Sequence, residues 1–241
     1  MTYIILAAGK GTKLQPLTFK HPKSLYKLDE NTSVLQHCIR TIKQYDKKAE
    51  IVVVLGFMSE NIKREVIPEN VRIVFNPFYS VTGSMGSLWF AKQYLQRENV
   101  TIINGDVLMS NELMNDIVCQ HTDVPFVLLD SKRSSDNKYT VQTQGDKVCV
   151  MSKNLTNFFG TYASVAKLDA VTSRFLLEEL EEMVNNEMYT LFFEDALVQM
   201  IFEKDFDLYF KDIKDYQWTE VDGVDDLLKA KEIYKNYKKE K

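Results

Sequence analysis

The sequence predicts an α/β fold, a mostly parallel sheet with helices on both faces, and three observations carry that expectation. Apolar, partly β-branched runs at residues 3–6, 51–55, 71–75, 100–103 and 126–129 read as buried strands. Stretches with helical spacing of apolar residues lie between them, at 33–45, 59–66, 84–95 and 110–119. Such alternation builds βαβ units, whose strands pair in parallel beneath covering helices. Thirdly, the strand ends carry small or polar residues, at Ala8-Gly9, Gly56 and Gly105-Asp106. Ligands bind at the carboxyl ends of strands in such sheets, so these positions can converge on one crevice.

Ser33 with Gln36 is a capping-box pattern, and Leu35, Cys38, Ile39 and Ile42 follow at i, i+3, i+4 and i+7. Gly56 ends the second strand and Asn76-Pro77 the third. Met85, Leu88, Trp89 and Leu95 form a helical stripe with Ser84 as its candidate cap. The second half reads as a hairpin over 139–150 turning at Gly145-Asp146, then a strand at 160–165. A helix over 169–184 is expected to bury Phe175, Leu176, Leu180 and Met183. A helix at 192–201, a strand at 206–210 and a last helix at 224–237 with a basic tail complete the chain. There is no internal repeat, low-complexity segment or linker, so residues 1–241 are expected to form one domain.

Composition narrows the function. Hydrophobic residues make up 45% of the 241 and charged residues 27%, enough for a packed core. A net charge of −4 argues against non-specific nucleic-acid binding. No run of about 18 apolar residues is present, so no membrane span is expected. Cys38, Cys119 and Cys149 are too far apart for a metal pattern, and the chain opens on a core strand with no signal-peptide layout; both point to the cytoplasm.

The most informative stretch follows the first strand: Leu6-Ala7-Ala8-Gly9-Lys10-Gly11-Thr12-Lys13-Leu14-Gln15-Pro16-Leu17-Thr18, then Pro22-Lys23. Small residues let backbone amides approach a ligand, and glycines, amides and two lysines after a buried strand describe a polyphosphate cradle. The spacing is not that of a Gly-x-x-x-x-Gly-Lys-Ser/Thr loop. Nor is it a dinucleotide fingerprint, because the third glycine is missing and Pro16 opposes a helix starting after Gly11.

This string resembles the signature of the nucleotidyltransferases that activate sugar 1-phosphates and related phosphate monoesters, with Lys13 standing where the family has arginine. Among these, Val74-Phe75-Asn76, Ser87-Leu88-Trp89 and the closing Glu220-x-Asp222-x-Val224-x-Asp226 segment are most similar to bacterial phosphocholine cytidylyltransferases. The resemblance implies a Rossmann-like fold of the nucleotide-diphospho-sugar transferase type, with residues from about 130 to 220 forming an acceptor subregion. It implies Mg²⁺ as cofactor, and CTP and a small phosphorylated acceptor as partners of a monomer or homodimer, serving cell-surface polysaccharide decoration. The resemblance implies a small phosphorylated amine or amide as acceptor, phosphocholine among them; the paired asparagines of phosphocholine-handling relatives are replaced by Gly83-Ser84, which points to a different one, such as aminoethylphosphonate or a phosphorylated amino acid derivative.

Residue by residue, the resemblance assigns Lys13, Lys23 and Lys153 to the phosphates as catalytic groups. Leu6, Ala7, Ala8, Gly9, Gly11 and Thr12 would bind nucleotide, with Gly56, Thr82 and Ser87 at the base and Asp106 near the phosphates. Asp106 and Asp222 would ligate the metal; on pattern alone Asp106 can equally cap a turn, and Asp222 suits the cap of the last helix better than a ligand role. An acceptor amine would want carboxylates and aromatic faces, for which Asp130, Glu194 and Asp195 with Tyr189, Phe192, Phe193 and Trp218 are available, although the phenylalanines also suit a core. The alternatives are a uridylyl- or thymidylyltransferase acting on a sugar 1-phosphate, and a non-catalytic nucleotide-binding regulatory subunit.

Overall fold

The computed structural model describes residues 1–15, 17–19, 21–133, 138–204 and 206–239, those at 13, 17, 237 and 239 through their backbone alone. Its centre is a nine-stranded sheet ordered β3-β2-β1-β4-β9-β6-β10-β8-β7. The strands are β1 (Thr2–Ala7), β2 (Glu50–Leu55), β3 (Arg72–Phe75), β4 (Val100–Asn104), β6 (Phe126–Asp130), β7 (Thr140–Gln144), β8 (Lys147–Ser152), β9 (Gly160–Leu168) and β10 (Tyr209–Asp212). The pairings β3–β2, β2–β1, β1–β4 and β6–β10 are parallel, whereas β9 and β8 run against their neighbours. The parallel expectation therefore holds for the direction of most strands. What sequence reading did not anticipate is that β9 inserts antiparallel between β4 and β6. A second, two-stranded sheet of β5 (Val107–Met109) and β11 (Trp218–Glu220) was also unforeseen, being only three residues per strand.

The period of two along β1 sorts its side chains to two cores. Ile4 and Leu6 face α3 (Ser84–Phe90), α5 (Ala170–Asn185) and α6 (Phe193–Glu203), packing with Met85, Leu88, Leu180 and Leu197. Tyr3, Ile5 and Ala7 face α1 (Val34–Tyr45) and α2 (Ser59–Val66), packing with Leu35, Ile39, Ile42 and Ile62. Helices thus cover both faces. Each fully buried aliphatic side chain contributes about 1.5–3 kcal/mol, and Ile39→Ala would cost roughly 2–5 kcal/mol by leaving a cavity. A third cluster, Leu14, Leu28, Val34, Leu108, Val221, Ala230 and Tyr234, seats α7 (Val224–Lys239) over the glycine loop and β5.

Several local expectations are met. Ser33 and Gln36 form a complete capping box on α1, the helix expected over 169–184 is α5, and Gly145 turns the β7–β8 hairpin at φ 61°. Others shift. Phe175 is exposed, because the buried stripe of α5 falls at Thr172, Leu176, Leu180 and Met183, one position away. Gly83, not Ser84, is the N-cap of α3. A side chain at position 83 would collide with the Leu191 carbonyl oxygen at 2.1 Å, so Ser84 moves into the first turn, where its Oγ accepts a hydrogen bond from Phe193 N at 3.0 Å. Residues 114–118 form a π turn after α4 (Asn111–Leu113). The strand expected at 206–210 is β10, set a few residues later by its parallel register with β6.

Candidate active site

The carboxyl ends of β1, β2, β4 and β6 share one edge of the sheet, and the crevice opens there. It encloses about 260 Å³. Gly9, Gly11, Thr12, Leu14 and Lys23 line one side, and Lys138, Tyr139, Lys153, Tyr162, Ser164, Phe192, Glu194, Glu220 and Asp222 the other. Gly11 turns the loop at φ 62°, a conformation that suits glycine, and the Thr18 hydroxyl ties it by donating to Gly11 O at 2.8 Å.

At its floor, the Lys23 ammonium joins two distant carboxylates. It pairs directly with Asp106 Oδ2 and lies 3.3 Å from Asp222 Oδ1. Asp106 follows Gly105, whose amide donates to Leu6 O at 2.9 Å, holding the β4 end against the β1 end. Burial opposes the charge on Lys23, but Asp106, Asp222 and Glu220 outweigh it and hold the ammonium's pKa above its ordinary value. Burial likewise pushes the Asp106 carboxyl up, against the pull of Lys23.

The cap question at Asp222 is answered by a neighbour. Asp226 Oδ2 accepts from Gly223 N at 3.0 Å and from Asp222 N at 3.2 Å, so the first turn of α7 is satisfied by Asp226 and the Asp222 side chain is turned to the lysines. The hard oxygen donors of Asp106 and Asp222, drawn to one point by an ammonium, fit a divalent cation such as Mg²⁺. Among the described residues no group of three or more His, Cys, Asp or Glu could hold a metal unaided, so further ligands would come from phosphate oxygens and water.

The crevice also contains residues that sequence reading passed over. Glu220 Oε2 pairs with Lys138 Nζ at 2.9 Å, its Oε1 accepts from Ser164 Oγ at 2.9 Å, and Lys138 lies 3.7 Å from Asp222 Oδ2. The signal for Glu220 was present, since i and i+2 on an extended segment share a side and Asp222 is two residues on. Ser164 carried none: it sits in β9 at φ 58°, where β6 pairs Val127 with Ala166 but Leu129 with Tyr162, a bulge that redirects the hydroxyl.

The expected base contacts gather around Asn76. Its Nδ2 donates to Thr82 Oγ1 and Ser87 Oγ, each at 3.0 Å, and its Oδ1 accepts from Phe78 N at 2.9 Å. Gly56 abuts Ala8: a Cβ there would meet Ala8 O at 2.8 Å, and Phe57 N donates to Ala8 O at 3.0 Å.

The expected acceptor residues divide. Phe192 and Glu194 line the crevice, and Lys153 Nζ lies 3.5 Å from the Phe192 ring centroid. Asp195 stands behind them, accepting from Tyr139 OH at 2.8 Å and Phe192 N at 2.9 Å. Phe193 is core. Asp130 and Trp218 are not in the crevice: Trp218 Nε1 donates to Asp130 Oδ2 at 2.9 Å. Tyr189 lines a separate apolar cavity of about 340 Å³ with Phe78, Trp89 and Val184, and the expected base contact Thr82 lines that cavity and not the crevice, while Gly56 and Ser87 line neither. The side chain of Lys13 lies outside the described residues.

Comparison with known proteins bears on the family and the fold. Residues 3–183 match the family model described as the MobA-like NTP transferase domain. The choline-phosphate cytidylyltransferase of Streptococcus pneumoniae is 26% identical over 239 residues, covering 98% of this chain and 99% of that protein. The CTP:phosphoglutamine cytidylyltransferase of Campylobacter jejuni is 22% identical, covering 94% and 98%. The solved structure of the Streptococcus pneumoniae CTP:phosphocholine cytidylyltransferase superposes with a TM-score of 0.78 at 24% identity, covering 97% of this chain and 98% of that one. No helix among the described residues is long and apolar enough to cross a membrane.

Proposed function

We propose, from the premise that this chain belongs to the family of MobA-like NTP transferase domains and is a nucleotidyltransferase, that it transfers CMP from CTP to a small phosphorylated amine or amide. The observation that carries this is the meeting of Lys23, Asp106 and Asp222 beside the glycine loop. The reaction joins two anions: an acceptor phosphate oxygen attacks the α-phosphorus of CTP, the bond from that phosphorus to the β-bridging oxygen breaks, and pyrophosphate leaves with the electron pair. The attacking oxygen is already deprotonated, so the protein needs alignment and charge neutralisation more than a base.

The residues divide that work. Backbone amides of the loop at Gly9 and Gly11 receive the triphosphate, Lys23 neutralises charge beside the α-phosphate, and Lys138 flanks the acceptor phosphate, while Lys153, expected there from the family, lies instead over Phe192 at the other end of the acceptor. Mg²⁺, held by Asp106 and Asp222, would neutralise the phosphate oxygens and orient them. Gly56, Thr82 and Ser87 would meet the base beyond the glycine loop, with Asn76 fixing both hydroxyls. One sheet running from residue 2 to residue 212 supports treating 1–241 as a single transferase unit, its 130–220 stretch serving the acceptor. CTP as nucleotide is supported by the two cytidylyltransferase relatives. A CTP requirement suits a reaction in the cytoplasm, whose product would serve cell-surface polysaccharide decoration.

A pyrophosphate-release screen crossing four nucleoside triphosphates with a panel of phosphomonoesters tests this. CTP should exceed UTP by at least about 100-fold in kcat/KM, the scale reached when a mismatched base leaves polar groups unpaired. Efficient uridylyl or thymidylyl transfer to glucose 1-phosphate, with no activity on phosphorylated amines or amides, would overturn it.

A further inference from the structure

The acceptor end of the crevice discriminates between two kinds of substrate. A quaternary ammonium is recognised by aromatic faces and ionised carboxylates. An amide or hydroxyl is recognised by neutral groups that both donate and accept hydrogen bonds.

The aromatic faces are already covered by a cation. Lys153 Nζ lies 3.5 Å from the centroid of the Phe192 ring and 5.1 Å from that of Tyr139. A substrate cation seeking those rings would meet a like charge. The carboxylates are similarly occupied. Asp195 accepts from Tyr139 OH and Phe192 N, and Asp130 accepts from Trp218 Nε1 and from Lys132 N at 3.0 Å. Glu220 is engaged by Lys138 and Ser164.

Glu194 remains, in the first turn of α6 and lining the crevice. It is 3% exposed, and its Oε2 has no hydrogen-bond partner among the described residues; the same holds for the hydroxyl of Tyr162 on the same wall. A buried polar atom left without a partner is costly in a folded protein and marks a place where a ligand can supply the partner. Burial pushes the Glu194 carboxyl up to about 8, with Asp195 and Glu220 adding to the shift and its own backbone amide and Lys153 opposing it. At neutral pH the group is therefore a carboxylic acid, one donor beside an acceptor. The Tyr139 and Tyr162 hydroxyls, also raised by burial, stay neutral beside it.

We propose that the non-phosphate end of the acceptor carries a neutral hydrogen-bonding group, an amide or a hydroxyl, received by Glu194 and Tyr162, and that a quaternary ammonium is rejected by Lys153 over the Phe192 ring. This rests on the transferase function proposed above and names the acceptor class within it.

The test uses the full chain with CTP and Mg²⁺, and three acceptors differing in one group: phosphocholine, O-phosphoethanolamine and N-acetyl-O-phosphoethanolamine. Pyrophosphate release is followed at pH 7 and pH 9. The N-acetyl compound should exceed phosphocholine in kcat/KM by at least about tenfold at pH 7, and its kcat/KM should fall about tenfold by pH 9 as a carboxyl of pKa near 8 ionises. Glu194→Gln, neutral at every pH, should keep the preference and lose the alkaline fall, whereas Glu194→Leu should raise the KM of the N-acetyl compound more than that of CTP. Phosphocholine equal to or better than the N-acetyl compound would overturn the inference while leaving the transferase function standing. So would an unchanged alkaline fall in Glu194→Gln. No pyrophosphate release with any of the three acceptors, alongside turnover of a sugar 1-phosphate, would overturn the proposed function and the inference together.

Discussion

Ser164 offers a perturbation in which stability and activity should part company. Its backbone is left-handed at φ 58° in the middle of β9, which costs a non-glycine residue roughly 1–2 kcal/mol. In exchange its hydroxyl donates to Glu220 at 2.9 Å, and a hydrogen bond to a charged group contributes about 1.5–3 kcal/mol. Ser164→Ala loses the bond and keeps the strain. Ser164→Gly loses the bond and relieves the strain, while a more flexible unfolded chain returns about 0.5–1 kcal/mol of that relief. The glycine variant should therefore be the more stable of the two by about 1 kcal/mol, both lying below the wild type. Activity should not follow that order. Either change leaves Glu220 Oε1 without its donor and loosens the Lys138 ammonium that Glu220 holds, so both should lose about tenfold in kcat/KM, equivalent to roughly 1.4 kcal/mol of transition-state stabilisation. Urea denaturation without substrate and pyrophosphate release with CTP measure the two quantities. An alanine variant as stable as the glycine variant would show that the bulge stores no strain. Wild-type kcat/KM in both would show that the Ser164–Glu220–Lys138 chain does not position the phosphates.

Further outcomes are expected for the aspartates, the two lysines and Glu194. Asp106→Ala and Asp222→Ala should each lose at least about 100-fold in turnover with the fold intact, whereas Asp226→Ala, which removes the first-turn acceptor of α7, should cost about 1 kcal/mol of stability; normal turnover in Asp222→Ala would leave its carboxylate without a catalytic role. Lys23→Ala should lower kcat/KM and also lower Tm in metal-free buffer, because Asp106 loses its buried partner; added Mg²⁺ should restore part of the Tm, and no restoration would argue against the two carboxylates as a metal pair, while Lys13→Arg should be tolerated and a dead variant would mean the loop is aligned wrongly with its relatives. Glu194 sets a stability trend: its folded carboxyl is raised from 4.5 to about 8, so the folded chain holds a proton the unfolded chain releases, and stability falls as pH rises across that window, by a few kcal/mol at most; thermal melts from pH 5 to 8 should show this fall in the wild type and a flatter line in Glu194→Gln.

The parts of this molecule that were legible in the sequence are those whose cause is local or periodic. The capping box at Ser33, the alternation in β1 and the glycine loop each declare themselves within a few residues. Asp106 and Asp222 could be named as a pair only through family resemblance, because no local pattern says that residues 116 positions apart meet on one lysine. The acceptor residues were harder for a different reason. Composition offers carboxylates and aromatics, but what each can do depends on which hydrogen bonds are already taken. Asp130 and Asp195 have equivalent carboxyl groups in sequence, and the fold assigns one to Trp218 and the other to Tyr139. Glu194 becomes available because burial without a partner keeps it protonated. Lys153 and Phe192, expected in separate roles, meet so that the lysine covers the face a cationic substrate would use. On the proposed reading, acceptor selectivity is a property of which groups are left unpaired once the chain has satisfied its own. That remainder depends on tertiary contacts: a β9 bulge, a helix start at Phe193, an amide from Phe192. On that reading, repacking those contacts would change the acceptor without touching the glycine loop or its aspartates.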